Sequence, residues 1–359
     1  MIFYFNLFIY FQIYKILLDS KGDDTMKALF ITAGILLLIG LMLFGGAYMI
    51  NGGFSDEKVF NTQTVTVEED ISSISIDADT TDIAILPATD ETCTVRLYEK
   101  KKLPHTVSSE NGTLTVTKAE KKWYDYINFF NFSTPKITVY LPAVEYQRLS
   151  IKGSTGDITV SKDLLFESMD LRLSTGDVEI SASATNMIKV QASTGDIMLK
   201  GVRAGNIDIT ISTGDTTLNE VECGGDIRIK STTGDININN TDCTGDIKAE
   251  NSTGKSTMVN VQCENLISEA STGSLRMTNV IASEKFTLER DTGEIHFDRC
   301  DASEIFAETD TGSVKGTLLT DKIFITKTDT GTINVPESTQ GGKCKITTDT
   351  GNITISIIQ

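Results

Sequence analysis

The chain has 359 residues, of which 40% are hydrophobic and 23% charged, so it is long and apolar enough to bury a sizeable core. Its formal net charge of −17 at pH 7 argues against nucleic-acid binding, because phosphates require a basic surface. We therefore expect no nucleic-acid partner.

Residues 1–25 differ in character from the rest of the chain. They form an aromatic, apolar run without the basic start or the cleavage site of a targeting peptide. Codons for the residues just before Met26 can encode a strong bacterial ribosome-binding sequence. We predict that translation starts at Met26 and that residues 1–25 are leader sequence misread as protein.

Residues 26–50 have the pattern of a membrane anchor. From Ala28 to Ile50 there is no charge over 23 residues, which is long enough to cross a bilayer. Lys27 precedes this run and Asp56 follows it, so the positive-inside rule places the N-terminus in the cytoplasm and the repeat domain outside. A cleaved signal peptide is the alternative, but the length of the run favours a retained single-pass anchor. Residues 51–55 would be a linker.

Residues 56–150 carry irregular alternating runs of apolar residues, which are typical of short strands. Prolines fall at the ends of these runs, where they stop strand pairing. The sequence Asp79-Thr80-Thr81-Asp82 looks like a degenerate form of a turn that repeats later in the chain. We predict that this region forms a β-rich cap and the first coils of the repeat region, since repeat stacks need an atypical end unit.

One stretch of the cap combines aromatic and basic side chains. Six aromatic residues, including the only Trp, fall within residues 123–132, and Lys121 and Lys122 precede them. They either pack inside the cap or contact an anionic membrane surface or a partner groove. The candidate contact residues are Trp123, Tyr124, Tyr126, Phe129, Phe130 and Phe132.

Residues 151–359 contain a repeat of steady period. A Thr-Gly pair recurs every 19 or 20 residues, within the sequence Ser-Thr-Gly-Asp in the first copies. Such a period indicates stacked copies of one supersecondary unit. The glycines of the eleven pairs are Gly156, Gly176, Gly195, Gly214, Gly234, Gly254, Gly273, Gly293, Gly312, Gly331 and Gly351.

Apolar residues alternate on both sides of each Thr-Gly pair, as Ile207 and Ile209 do before Gly214. Alternation indicates half-buried strands, and glycine supplies the positive φ of the turn between them. We predict an all-β fold: a parallel β-solenoid of about eleven coils of 19–20 residues, with the irregular cap and one transmembrane helix before it. An antiparallel meander also fits the turns, but like residues recur once per coil, which favours the solenoid.

Several motifs together resemble the bacterial "putative adhesin" β-strand-repeat family, which includes LiaG-like membrane proteins of unknown function. They are the membrane span, the Lys-Lys-Trp stretch, the sequence Ile-Thr-Val-Tyr-Leu-Pro at residues 137–142 and the Ser-Thr-Gly-Asp-Ile repeats. The resemblance runs from about residue 60 to the end. It implies a repeat fold at the cell envelope and supplies no binding residues, because its motifs are structural.

The carboxylates beside the turn glycines suggest a ladder of calcium sites, since Ca²⁺ takes several oxygen ligands. The repeats lack the tight spacing of calcium-binding β-rolls, and turn capping is the simpler interpretation. The weak calcium candidates are Asp157, Asp177, Asp196, Asp215 and Asp235.

Catalytic motifs give weak signals. Asp-Thr-Gly, the aspartic protease signature, occurs four times, but coil periodicity explains every copy. A β-helix carbohydrate lyase would need acidic and basic residues clustered on one face; the candidates are Arg276, Arg290, Arg299 and Asp291, although scattered surface ions are the simpler interpretation. We predict no catalytic residue, no cofactor and no enzyme activity.

Three of the six cysteines, Cys223, Cys243 and Cys263, stand nine residues after their turn glycines. Small inward residues explain this column, because free cysteine packs as a small hydrophobe. One disulfide between neighbouring coils stays open as an alternative outside the cell.

The chain ends in an alternating run from Asn352 to Gln359 with no polar cap after it. An uncovered strand edge pairs readily with another chain. We therefore predict self-association through this C-terminal strand, or strand addition by a partner.

These patterns favour a membrane-anchored extracytoplasmic β-solenoid that acts as a non-catalytic, adhesin-like binding or scaffold module at the bacterial cell envelope. Its partner would be an envelope component or a membrane protein. An accessory role in envelope-stress sensing is the first alternative, and a carbohydrate-active β-helix enzyme is the second.

Overall fold

The computed structural model describes residues 24–50, 60–100, 105–118 and 134–358. They belong to two compact units. The first unit contains helix α1, Asp24–Ile50, and the second contains the strands. Within the described part of the chain, no helix meets the length and apolarity that a bilayer crossing requires.

The described residues of the second unit form 26 strands joined in one continuous sheet system. They are β1 Phe60–Val67, β2 Ser73–Asp77, β3 Asp82–Pro87, β4 Cys93–Lys100, β5 Thr106–Glu110, β6 Thr113–Thr117, β7 Lys136–Leu141, β8 Glu145–Thr155, β9 Ile158–Val160, β10 Leu165–Thr175, β11 Val178–Ile180, β12 Ser183–Thr194, β13 Ile197–Lys200, β14 Arg203–Thr213, β15 Thr216–Cys223, β16 Ile227–Thr233, β17 Ile236–Cys243, β18 Ile247–Thr253, β19 Ser256–Thr272, β20 Leu275–Thr292, β21 Ile295–Thr311, β22 Val314–Leu318, β23 Lys322–Thr330, β24 Ile333–Asn334, β25 Gly342–Thr350 and β26 Ile353–Ile357.

Neighbouring coils pair in parallel, one coil length apart. Leu171 of β10, for example, lies beside Ile151 of β8 on one side and Val190 of β12 on the other. This pairing confirms the parallel β-solenoid, of about ten turns, and excludes the antiparallel meander. The alternating side chains point into the stack: Ile207 and Ile209 are at most 1% exposed. Burying one such side chain stabilises the fold by about 1.5–3 kcal/mol.

Each regular coil has one more corner than the sequence pattern suggested. Six residues after the turn glycine the chain bends at a residue with a left-handed backbone, with φ between 49° and 58°. The corner residues are Glu220, Asn240, Asn260, Asn279 and Arg299.

At the N-terminal end of the stack, spatial order differs from chain order. Strands β2 and β3 lie between β6 and β7 on one side and β8 and β9 on the other. Antiparallel strands then cover the outermost coil: β5 pairs with β6, β4 with β7, and β1 with β4. Thr80 forms a bridge to Thr155, so the degenerate turn occupies the same column as the Thr-Gly turns.

The C-terminal end has a similar inversion. Strand β25 lies between β21 and β23, and β26 lies between β22 and β24. The C-terminal strand is therefore not a free edge, contrary to the expectation from its sequence. It is an interior strand with partners on both sides, and the outermost coil is formed by β23 and β24, which precede it in the chain.

Candidate binding surface

The Thr-Gly turns form a corner at which backbones of neighbouring coils approach closely. Gly214 has φ of +132°, and a Cβ atom built on it would lie 1.9 Å from the carbonyl oxygen of Gly195. L residues rarely adopt this conformation, and no side chain fits at that distance. The glycine column is therefore required by the stacking itself.

The turn aspartates hold successive coils together at this corner. The Oδ1 atom of Asp177 accepts a hydrogen bond of 2.7 Å from the backbone N–H of Asp196, and Oδ1 of Asp196 accepts one of 2.8 Å from Asp215. The column starts at Asp82, in the degenerate turn, and ends at the N–H of Lys255. Its remaining bonds join Asp157 to Asp177 and Asp215 to Asp235.

In the later coils the aspartate after the glycine is missing, and a residue three positions before the glycine supplies the contact. Thr309 donates its hydroxyl to the carbonyl of Gly293 at 3.0 Å, and Thr348 donates to that of Gly312 at 2.9 Å. Asn251 makes the equivalent bond to Gly234. The turn motif thus changes along the chain because a different side chain forms the hydrogen bond to the backbone of the neighbouring coil.

The calcium candidates are therefore side chains that cap backbone N–H groups. All five lie in one column, and Oδ1 of each accepts the N–H of the next coil. Among the described residues, no group of three or more His, Cys, Asp or Glu side chains is placed to hold a metal ion. The geometry gives the calcium hypothesis no support.

Replacing Asp196 by alanine should remove one inter-coil hydrogen bond and lower the free energy of unfolding by about 1 kcal/mol. Asparagine at the same position keeps an Oδ1 acceptor, so Asp196→Asn should cost less than about 0.5 kcal/mol. Urea unfolding of the two variants measures the difference. Equal losses would contradict a capping role.

The bend that follows each turn carries a second ladder, built from amides. The Nδ2 group of Asn260 donates to Oδ1 of Asn240 at 2.9 Å, and that of Asn279 donates to Oδ1 of Asn260 at 3.0 Å. Asparagine tolerates the left-handed backbone that the bend requires. This column was not predicted, although its asparagines recur at coil spacing.

Beside this corner, the outward side chains of the three coils that follow Gly214, Gly234 and Gly254 are mostly polar and uncharged, whereas Lys200 and Arg276 occupy the same face in the coils before and after, and Glu220 and Val259 lie within it. We call the polar, uncharged residues of this face the amide surface: Thr217, Asn219, Asn237, Asn239, Asn240, Thr257, Asn260 and Asn279. Thr217 lies beside Asn237 and Asn219 beside Asn239, so like groups repeat at the coil spacing of about 4.8 Å. Within the described chain, the side chains of Asn237 and Asn239 make no hydrogen bond, which leaves their donors and acceptors available.

The face formed by the longer strands before each turn differs, because it carries charged residues, several of which form ion pairs. Asp208 lies 3.4 Å from Lys189, and Arg228 lies 2.7 Å from Asp226. Such exposed pairs add little stability, but the charged groups that form them are already engaged with each other and are less available to a ligand. The amide surface is therefore the face with unused polar groups.

The proposed lyase cluster does not assemble. Arg276 is exposed on a strand, Arg299 lies at the left-handed bend, and Asp291 is exposed before a turn. Arg290, expected at the surface, points into the core and is only 2% exposed. The interpretation as scattered surface ions is thus wrong for Arg290, whose position three residues before the glycine is one that faces inward.

Arg290 is held by uncharged groups. Its Nη1 atom donates to the Ser268 carbonyl at 2.8 Å, and its Nη2 atom donates to the Ser268 hydroxyl at 2.8 Å. Its Nε–H has no acceptor, and no carboxylate in the described chain lies within ion-pair distance. Burial lowers the pKa of Arg290 to about 10, against an opposing effect of Glu269.

The cysteine column faces the interior, as its periodicity predicts. Cys223 and Cys243 are register partners, and all six cysteines are buried free thiols. A hydrogen bond from Cys243 lowers the pKa of the Cys223 thiol to about 7 and raises the pKa of Cys243. No disulfide joins them in this structure.

The other buried thiols should make the fold sensitive to alkali. Burial raises the pKa of Cys300 from 9.0 to about 11 and that of Cys344 to about 12. Above pH 9 the unfolded chain loses these protons first, so each thiol's contribution is complete below pH 9 and declines as pH rises towards its folded value. The decline should reach about 1.4 kcal/mol per pH unit for each thiol.

Urea unfolding in reducing buffer between pH 8.5 and 11 tests this expectation. Cys300→Ala should reduce the slope of stability against pH, whatever its effect on stability at neutral pH. A slope identical to that of the unmodified chain would contradict the expected linkage.

The aromatic contact candidates, Trp123, Tyr124, Tyr126, Phe129, Phe130 and Phe132, lie outside the described residues. Their role as a membrane or partner contact stays a prediction. The described residues that flank them continue the stack, since β6 precedes the stretch and β7 follows it.

The repeat pattern, the parallel stack and the Thr-Gly corner match a known sequence family. The family described as Toastrack DUF4097 matches residues 71–259 and 245–359. The chain belongs to the Toastrack DUF4097 family. The expected relationship to an adhesin-like β-repeat family is thus confirmed. Among curated proteins, none matches this member of the Toastrack family.

Solved structures resemble the Toastrack chain at low identity. A "putative adhesin" from Bacteroides fragilis is 14% identical, covers 84% of this chain and 99% of its own, and has a TM-score of 0.31. A "putative lipid binding protein" from Parabacteroides distasonis is 16% identical, with coverages of 73% and 98% and a TM-score of 0.36. A "putative adhesin" from Parabacteroides merdae is 12% identical, with coverages of 84% and 97% and a TM-score of 0.37.

Proposed function

We propose that this chain is a non-catalytic binding module of the bacterial cell envelope, and that the amide surface is its contact face. The observation that supports the proposal is that the side chains of Asn237 and Asn239 make no hydrogen bond within the described chain, with Thr217, Asn219 and Thr257 as their polar register partners in the adjoining coils. A rigid sheet that repeats donors and acceptors at about 4.8 Å suits a ligand that is itself a polymer.

The charge of the chain favours an uncharged partner. At a net charge of −17 the protein repels anionic polymers, so long-range electrostatics disfavours them as ligands. The amide surface offers hydroxyl and amide groups, which bind partners of the same polarity by hydrogen bonds. We therefore propose an uncharged polar polymer of the envelope, such as a glycan, as the ligand.

Binding of the full-length chain to isolated cell-wall material tests this role. The wall fragments are pelleted, and the bound fraction is measured against protein concentration. Replacing Thr217, Asn237 and Thr257 together by glutamate should weaken binding on the order of a hundredfold, because several hydrogen bonds of about 1 kcal/mol each are lost.

A matched control lies on the ion-paired face. Thr210 is an outward residue of β14 in the same part of the stack, and Thr210→Glu should leave binding unchanged. Wall binding that survives the triple substitution, or that falls equally with Thr210→Glu, would contradict the proposed contact face. Thermal unfolding monitored by circular dichroism verifies that the variants fold.

We also propose that residues 26–50 anchor the chain in the cell membrane, with the N-terminus in the cytoplasm and the solenoid outside. The uncharged run from Ala28 to Ile50 supports this proposal, together with Lys27 before it. Protein extracted from membranes by alkaline carbonate, or a solenoid that resists protease added to intact protoplasts, would argue against this location.

A further inference from the structure

The outermost coil at the C-terminal end of the stack has an open side. Strand β23 pairs only with β25, and β24 pairs only with β26, within the described chain. Strand β23 is nine residues long, which corresponds to about 30 Å of extended backbone. Alternate N–H and C=O groups along that length point away from the stack with no strand beyond them.

The outward side chains of β23 are isoleucines in its first half and the charged residues Lys327 and Asp329 in its second half. Ile323 is 43% exposed, Ile325 49% and Ile333 45%. Soluble proteins commonly protect an open edge with charges, prolines or a covering segment. The first half of β23, and β24 beside it, instead present isoleucines, so burial of these side chains against another surface would be favourable.

The edges at the other end of the stack are different. Strand β1, the outer neighbour of β4, has Asn61, Thr62, Gln63 and Thr64 in its exposed part, and β5 is composed largely of threonine and serine. Among the described edge strands, the exposed isoleucines thus lie at the C-terminal end of the stack. Stacking of copies head to tail would place these isoleucines against polar strands.

We propose that the β23 edge pairs with the same edge of a second copy of this chain. The two β23 strands would run antiparallel about a twofold axis at Phe324. In that register Ile323 of each copy lies opposite Ile325 of the other, and Asp321 of each lies opposite Lys327 of the other. Both the apolar residues and the charges are then complementary, and the pairing closes as a dimer.

The oligomeric state of the full-length chain in detergent, measured by light scattering or sedimentation over a range of concentrations, tests the proposal. The unmodified chain should be a concentration-dependent dimer. Ile323→Lys combined with Ile325→Lys should raise the dimer dissociation constant at least a hundredfold. Met198→Lys is the control, because Met198 is 42% exposed on an interior strand, and this variant should remain a dimer.

An exchange of charges tests the register. Asp321→Lys and Lys327→Asp should each weaken the dimer, and the double variant should restore it, because the two opposite pairs are rebuilt in reversed polarity. Lys327 also lies 3.0 Å from Asp329 of its own strand, so the recovery in the double variant is the decisive measurement.

Three results would overturn the proposal. The unmodified chain could be monomeric at every concentration, the dimer could persist in the Ile323→Lys and Ile325→Lys variant, or Met198→Lys could dissociate it equally. Persistence would assign association to another part of the chain, such as α1. Thermal unfolding of each variant distinguishes loss of folding from loss of pairing.

Discussion

Gly214→Ala is expected to lower the free energy of unfolding by more than about 4 kcal/mol, which is exceptional for a single methyl group. The added Cβ would lie 1.9 Å from the Gly195 carbonyl oxygen, and the backbone φ of +132° is one that alanine rarely adopts. Relief requires neighbouring coils to separate, which disrupts parallel hydrogen bonds on both sides of the turn. Urea or thermal unfolding measures the loss.

Gly201 provides a matched control for this prediction. It also has a positive φ, +65°, but a Cβ on it would have no atom within 4 Å. Gly201→Ala should therefore lose only the backbone preference, about 1–2 kcal/mol. Similar losses in the two variants would mean that conformational preference, and not the close approach of coils, determines the need for glycine at the corner.

Arg290→Met is expected to stabilise the protein by about 1–3 kcal/mol at neutral pH. The guanidinium is buried and has no carboxylate within ion-pair distance in the described chain, so hydrogen bonds to uncharged groups and the more distant Glu269 offset only part of its desolvation. Methionine is long and flexible enough to fill the space that the arginine side chain occupies. Chemical unfolding at pH 7 gives the change directly.

The partner of this arginine should respond in the opposite direction. Ser268→Ala removes the hydroxyl that accepts from Nη2, so a buried donor loses its bond and the fold should lose about 1–2 kcal/mol. Arg276→Met, at an exposed position of the same strand β20, should change stability by less than about 0.5 kcal/mol. Destabilisation by Arg290→Met would mean that the hydrogen bonds of Arg290 outweigh the cost of burying its charge, and would contradict this prediction.

The regular coils could be predicted from the sequence because one physical requirement recurs in each of them. Every turn needs a glycine where backbones meet, and every strand needs alternate apolar residues to fill the stack. The bend at Asn240, Asn260 and Asn279 was not predicted, although the alternation breaks there: two successive outward residues separate the inward ones, as Asn219 and Glu220 separate Leu218 from Val221.

The spatial order of the coils at the two ends could not be predicted from the repeat. Every coil places the same kinds of residue in the same columns, so the sequence pattern does not distinguish which coils lie next to each other. A signal was nevertheless present. The inward positions of β23 include Lys322 and Thr326, whereas the register partner of Thr326 in β25 is Ile346, which is fully buried. A more polar interior is typical of an outermost unit, and this contrast distinguishes the two coils.

Arg290 shows the same limit for single residues. Its column is inward, and Ala192 and Ile211 occupy the corresponding position in earlier coils. The strong preference of arginine for water suggested a surface position instead. The column predicts the orientation of Arg290 correctly, because residues one coil apart in a parallel stack point their side chains in the same direction.

The inversion at the C-terminal end determines when the stack can be completed. Strands β23 and β24 leave the ribosome, or emerge from a membrane, before β25 and β26, yet their hydrogen-bonded neighbours are those later strands. Closure of this end must therefore wait for the last residues of the chain. Proteolytic loss of residues 342–359 would remove β25 and β26. It would also leave β23 and β24 without the strands to which they are hydrogen-bonded.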